Sequence, residues 1–164
     1  MDANERAEAI ARYRHGPAAL RAAYAASPAE TRQWRPAPDA WSIHEIIVHC
    51  ADSEANAYTR IRMLMAEENP TIVGYDQDAW AGRFDYHARP VETAFSVIES
   101  VHAHTAELLP TFSEDDWTRT GTHSERGSYS AEDWLRDYSE HLFVHVDQIE
   151  ANVASWEAHH ASTS

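Results

Sequence analysis

Two capping boxes tie this chain to a helical fold. Trp41-Ser42-Ile43-His44-Glu45-Ile46 sets a serine and, three residues on, a glutamate where each side chain satisfies a backbone N–H at the other's position, with Trp41 placed to pack on Ile46 as a staple. Tyr129-Ser130-Ala131-Glu132-Asp133-Trp134 repeats the arrangement, with aspartate as a shorter partner and Tyr129 against Trp134. A cap fixes where a helix starts, and the helical period then decides which side chains face inward. After Ser42 the inward stripe runs Ile46, His49 or Cys50, Ser53, Ala57, Ile61 and Leu64; after Ser130 it runs Trp134, Tyr138, His141, His145, Ile149 and Trp156.

The same periodicity predicts four main helices, roughly 4–26, 42–66, 90–110 and 130–156, with no period-two strand pattern, and so an all-α chain. His15-Gly16-Pro17 predicts a kink or break in the first helix, because proline lacks an N–H and crowds the preceding turn. Ser27-Pro28-Ala29-Glu30 reads as a fresh N-cap for a short turn that Pro36 and Pro38 stop. The 66–89 connection is long for a loop and holds Tyr75, Trp80, Phe84 and Tyr86. A short helix near Asp76 to Arg83 is expected there, its aromatics closing one end of the fold or packing on a second subunit.

With 164 residues and 43% hydrophobic content, the chain fits one domain spanning 1–164. No signal-like apolar region or membrane-length run is present, which makes a soluble cytoplasmic protein the expectation. A formal charge of −14 argues against nucleic acid or an anionic membrane surface as partner. The single cysteine, Cys50, excludes an internal disulfide and any multi-cysteine zinc motif.

His141 and His145 are four residues apart, one turn along one helical face, which suits two ligands of one metal ion. His49, on or beside the buried face of the second helix, makes a third inward imidazole. The alternative is a set of core histidines hydrogen-bonded to carbonyls. Two other metal sites are excluded by spacing. His44-Glu45-Ile46-Ile47-Val48-His49 puts its second histidine one residue late for a zinc-protease helix, about 140° round from the first. A ferritin-like di-iron site needs two Glu-x-x-His pairs, and only Glu99-Ser100-Val101-His102 stands in a central position.

Trp41-Ser42-x-x-Glu45-x-x-x-His49, then Asp52-Ser53-Glu54, then Tyr75-Asp76-Gln77-Asp78-Ala79-Trp80, and finally His141-x-x-x-His145-x-x-Gln148-Ile149 together resemble the DinB-like (YfiT-like) proteins over nearly the whole chain. The resemblance implies a four-helix bundle of up-down-down-up topology, commonly dimeric, with zinc or nickel held by His49, His141 and His145. Three imidazoles without a protein carboxylate leave coordination positions open for water or a substrate thiol, as catalytic sites do. Glu45, Asp52 and Asp137 are candidates for the carboxylate that orients a ligating ring, and Tyr75, Asp76 and Trp80 are candidate pocket residues.

The family's activities diverge. The resemblance implies a divalent-metal-dependent enzyme acting on a small-molecule substrate, a thiol S-transferase using a low-molecular-weight thiol or a hydrolase-like enzyme; the alternative is a non-catalytic, stress-related metal-binding protein. Arg60, Arg62, Arg83, Arg89 and Arg126 are the residues available for a basic pocket. Their convergence beside the metal favours transfer, whereas an apolar, closed mouth favours binding. Six tryptophans and seven tyrosines in a small bundle predict an exposed aromatic patch and hence a homodimer. Cys50, about 100° around its helix from His49, is expected in the core and not on the metal.

Overall fold

The computed structural model describes residues 1–161. Its helices are α1 (Ala3–Ala26), α2 (Ile43–Ala66), α3 (Gln77–Phe84), α4 (Val91–Leu108), α5 (Glu114–Trp117) and α6 (Ala131–Ala161), of which α1, α2, α4 and α6 form a four-helix bundle. Cross-helix pairs give the directions. Arg6 meets Glu132 and Arg12 meets Glu140, so α1 and α6 are parallel. Glu54 meets His102 and Tyr58 meets His104, so α2 and α4 are parallel as well. Arg14 bonds the Ala106 carbonyl while Arg21 meets Glu99, which makes α1 and α4 antiparallel. The result is up-down-down-up. A helix of 24 residues is about 36 Å long, so joining the parallel α2 and α4 requires a chain segment that returns along the bundle, and residues 67–90 serve that purpose.

Both capping boxes form as the sequence predicts. Ser42 Oγ accepts from the Glu45 N–H while the Glu45 carboxylate accepts from the Ser42 N–H at 2.9 Å. Ser130 and Asp133 make the same exchange, each bond 3.0 Å. Ser27 behaves differently: its hydroxyl turns back to the Tyr24 carbonyl at the end of α1, and the short 3-10 turn Ala29–Thr31 has no side-chain cap.

Pro17 does not break α1, which runs unbroken through it with Gly16 and Pro17 buried. A proline leaves the carbonyl four residues earlier without its helical partner. That carbonyl is Tyr13 O, and His102 Nδ1 on α4 supplies the missing donor at 3.1 Å. The Tyr13 and His102 rings also stack, 4.0 Å between centroids. Helical continuity is thus maintained by a tertiary hydrogen bond.

The structure also contains a three-stranded sheet that the sequence reading lacks. β1 (Thr71–Ile72) pairs parallel with β2 (Thr120–His123), which pairs antiparallel with β3 (Gly127–Ser130). Strands of two to four residues are too short to display a period, and the inward positions of β2 carry Gly121 and His123 instead of apolar side chains. At Gly121 the close approach excludes a side chain, since a Cβ there would sit 2.5 Å from the Pro70 carbonyl. The hairpin runs directly into the Ser130 cap of α6 and so fixes His123 and Tyr129 beside that helix.

The apolar core has two parts. One gathers Leu20, Ile46, Phe95, Ile98, Leu142 and Ile149, and the other Tyr13, Ile61, Leu64, Leu109, Trp117 and Trp134. Between them lies a buried polar layer containing Glu54, His102 and the half-buried His141. Every tryptophan and tyrosine is at least half-buried, so the exposed aromatic patch expected from composition is absent among the described residues. The large apolar side chains left exposed are Val73, Phe84, Val97 and Val144. No helix of the described residues is long and apolar enough to cross a membrane.

Candidate metal centre

α2 and α6 run antiparallel, and their two inward stripes bring His49, His141 and His145 together. One ligand atom from each lies within 4.8 Å of the other two. Ring centroids are 4.7 Å apart for His141–His145, 5.0 Å for His49–His145 and 5.7 Å for His49–His141. His49 and His145 are buried and His141 half-buried.

Hydrogen bonds fix two of the tautomers. His141 Nδ1 lies 2.7 Å from Glu54 Oε1 and must carry the proton, because an ionised carboxylate only accepts. His145 Nδ1 donates to Gln148 Oε1 at 2.9 Å. Each Nε2 therefore presents a lone pair, and the two Nε2 atoms face one another at 3.2 Å. Two lone pairs so placed repel unless a cation lies between them. A tetrahedral site with metal–nitrogen bonds of about 2.0–2.1 Å separates its ligand nitrogens by about 3.3 Å, so the spacing suits a shared ion. Buried His49 Nδ1 has no hydrogen-bond partner either. The donor set and its geometry fit one divalent ion, with room for further ligands.

Burial holds His49 and His145 neutral, which is the form that binds metal. His49 is pushed down to about 3 by burial and by the neighbouring His145 and His141. His145 is pushed down to about 4, again by burial and then by His141. Glu54 is fully buried, which alone would raise its pKa, but its close contacts with His102 and His141 outweigh this and leave it at about 2. Its second oxygen lies 2.8 Å from His102 Nε2, off the line of an ideal hydrogen bond. A chain of contacts thus runs from the carbonyl freed by Pro17 through His102 and Glu54 to His141.

Glu54 takes the place that the sequence reading assigned to three other carboxylates. Glu45 is held by Arg35, its own cap and His87. Asp52 accepts from the Tyr86 hydroxyl at 2.5 Å, on the face of α2 turned toward the segment before α4. Asp137 is drawn to the hairpin, where it binds Arg126 and, at 2.8 Å, the Tyr129 hydroxyl. None of the three bonds a histidine of the triad.

Two clefts open onto the triad. One, about 400 Å³, is lined by Asp39, Trp41, Gln77, Asp78 and Gln148 with all three histidines; the other, about 270 Å³, by Ser53, Arg60, Tyr75, His123, Arg126, Tyr129, Tyr138 and others with His49 and His141. Of the pocket candidates, Tyr75 lines the second cleft. Asp76 instead caps α3 through the Ala79 N–H, and Trp80 packs between Tyr75 and Phe84. Of the five arginines, Arg60 and Arg126 reach the triad's surroundings, whereas Arg62 bonds Thr105 and Arg89 lines a separate apolar cleft. The short helix expected near 76–83 is α3.

Cys50 is fully buried in the apolar core, where burial first and then the Glu54 charge raise its thiol well above 9. Cys50→Ser is therefore expected to leave metal content unchanged by elemental analysis, while losing roughly 1–3 kcal/mol of stability for an ill-satisfied buried hydroxyl. Loss of metal-dependent turnover at full metal content would instead make the thiol part of the chemistry.

Comparison with known proteins places this geometry among relatives. Residues 12–149 match the sequence profile of the DinB superfamily. A protein of Oceanobacillus iheyensis named "Putative metal-dependent hydrolase" is 38% identical over 109 residues, 66% of this chain and 63% of the relative. One of the same name from Geobacillus thermodenitrificans is 31% identical over 112 residues, 68% of this chain and 63% of the relative. In both the match spans under two thirds of the relative's length. Among solved structures, Bacillus subtilis YfiT, described as "a probable metal-dependent hydrolase with an unusual four-helix bundle topology", aligns with a TM-score of 0.86 at 22% identity over 93% of this chain and 87% of that one. That likeness is one of fold.

Proposed function

As the chain belongs to the DinB superfamily, we propose that it is a divalent-metal-dependent enzyme of hydrolase type acting on a small molecule, with zinc or nickel held by His49, His141 and His145. The observation that carries this reading is the pair of Nε2 lone pairs facing each other at 3.2 Å, with each Nδ1 committed to Glu54 or Gln148. All-imidazole ligation suits zinc or nickel and does not suit magnesium or calcium. A divalent ion bound there supplies Lewis acidity, bringing a water's pKa toward about 7 and polarising a carbonyl. The protein's part is to keep His49 and His145 neutral by burial and to aim His141 and His145 through Glu54 and Gln148. The relatives' names support the hydrolytic class.

The clefts bear on the alternatives. Their walls are polar and reach solvent at Asp39, Gln77 and Asp78, which weighs against a purely storage or stress-binding role. Arg60 and Arg126 on the second cleft favour, as a second reading, transfer of a low-molecular-weight thiol to or from a small molecule. The test is a panel of esters, amides and thioesters, and separately electrophiles with a thiol, assayed with zinc-loaded, nickel-loaded and metal-free protein. Metal-dependent hydrolysis is expected. Thiol consumption without hydrolysis would move the assignment to the second reading, and no turnover in either assay would leave a binding protein.

The homodimer expected from the family resemblance is part of this proposal. Exposed Phe84 and Val97 line one cleft on the α2–α4 side and offer an apolar surface for it. Sedimentation equilibrium at micromolar concentration should give twice 18.5 kDa; a sole 18.5 kDa species would refute the dimer.

A further inference from the structure

Arg60 is a cation without a carboxylate. Its guanidinium donates to the Tyr138 hydroxyl and to the Val73 carbonyl, each at 2.8 Å, and among the described residues it enters no ion pair. Both partners are neutral, so no carboxylate contacts its charge directly. It lines the smaller cleft, which shares His49 and His141 with the triad. Tyr75 and His123 in the same lining are donors as well. Burial raises the Tyr75 pKa to about 12, and its buried hydroxyl has no hydrogen-bond partner, with Ser53 near it but out of bonding geometry. His123 Nδ1 accepts the Glu125 backbone N–H at 3.2 Å, which leaves the ring proton of the neutral form on Nε2.

The two carboxylates that line the cleft are either already paired or exposed. Asp137 is engaged by Arg126 and Tyr129, which cancels the second arginine. Glu125 is exposed at the hairpin tip, where water screens it. A buried donor with no partner and a guanidinium with no carboxylate in contact are each destabilising in isolation. Both are relieved by one bound anion.

We propose that this cleft is a subsite for a carboxylate of the substrate, with Arg60 as its charge partner and Tyr75 and His123 as further donors. One positive charge with no carboxylate in contact matches a monoanion better than a phosphate dianion, which would also meet Asp137 and Glu125. The inference rests on the metal-dependent reading for its consequence. A substrate anchored here lays the rest of its length across His141 and His49, so the class is a carboxylate-bearing amide or ester. In its hydrolysis a water oxygen bonds the acyl carbon, the C–N or C–O bond breaks, and the departing nitrogen or oxygen takes a proton.

The test is calorimetric titration of benzoate, and of its uncharged isostere benzamide, into zinc-loaded and metal-free wild type and into the Arg60→Met, Arg60→Lys, Tyr75→Phe and Glu125→Gln variants. Benzoate is expected to bind both wild-type forms, with benzamide weaker by roughly 10-fold or more, the scale of a charge-assisted hydrogen bond. Arg60→Met should lose a similar factor while Arg60→Lys retains part of it, metal content staying at the wild-type level throughout. Tyr75→Phe should weaken benzoate and Glu125→Gln should tighten it. Benzoate binding that ignores Arg60, or that occurs only in the zinc-loaded form, would place the carboxylate elsewhere and overturn the proposal. Arg60-dependent binding to a protein that takes up no metal would sustain the subsite and sink the metalloenzyme reading instead.

Discussion

His145→Ala is expected to purify with little or no bound divalent metal, and the same holds for His49→Ala and His141→Ala. Two imidazoles hold an ion far more weakly than three, so the loss should exceed the roughly 10- to 100-fold that follows when only an orienting partner is removed. Elemental analysis of protein made without a histidine tag reads the result directly. Far-UV circular dichroism should show the helices intact, because the caps at Ser42 and Ser130 and the two apolar clusters do not involve the ion. The wild type should gain thermal stability on adding zinc or nickel, by about 2.7 kcal/mol at a hundredfold excess over Kd, and the variants should not. Wild-type protein that takes up neither metal would return all three residues to the role of core histidines. Metal retained by His145→Ala but lost from a His102 variant would place a ligand on α4.

Acid should act on the same residues. His49 and His145 have folded pKa values of about 3 and about 4, below the unfolded value of about 6.5. As pH falls below 6.5 the unfolded chain therefore takes up protons that the folded one refuses, and stability declines until the pH passes the folded values. Protons also compete with metal for imidazole. A melting temperature that falls between about pH 6.5 and 4, more steeply for wild type than for His145→Ala, is the expected outcome; parallel curves would mean that these rings titrate normally.

The long helices, their caps and the three histidines were legible in the sequence because each depends on local spacing: a serine three residues before an acid, or imidazoles one turn apart. What escaped depends on contacts distant in sequence. Pro17 reads as a breaker, and only the fold reveals that His102, far along the chain on α4, replaces the hydrogen bond that proline removes. The sheet escaped because its strands are too short to show a pattern. The orienting carboxylate is hidden in the sequence for a related reason. Glu45, Asp52 and Asp137 lie near a histidine along the chain, yet His141 is held by Glu54, 87 positions away. A signal for Glu54 did exist. Cys50, Glu54, Ala57, Ile61 and Leu64 form one fully buried stripe on α2, and an acid in such a register is tolerated only where partners neutralise it.

Glu54 is accordingly the residue outside the triad whose removal should have the largest effect. It is wholly buried and touches His141 at 2.7 Å and His102 at 2.8 Å, one contact on each side of the polar layer between the two apolar clusters. Glu54→Ala leaves both rings facing a void, and breaking a buried ionic contact in this way costs about 3–5 kcal/mol, enough to unfold a marginal bundle. Glu54→Gln is the sharper probe because it keeps the shape. Its neutral amide oxygen is a weaker acceptor than the carboxylate, so the His141 Nδ1–H that aims Nε2 at the metal is held less firmly. Folding should survive while metal affinity falls roughly 10- to 100-fold. The carboxylate's own contribution to stability has a defined pH window. With a folded pKa of about 2 against an unfolded 4.5, it is fully present above 4.5 and lost as pH falls through 2, and it amounts to something on the order of 3 kcal/mol. The difference in unfolding free energy between wild type and Glu54→Gln should therefore shrink on acidification. A Glu54→Gln protein that binds zinc as tightly as wild type and melts at the same temperature at neutral pH would show that His141 needs no carboxylate to hold it.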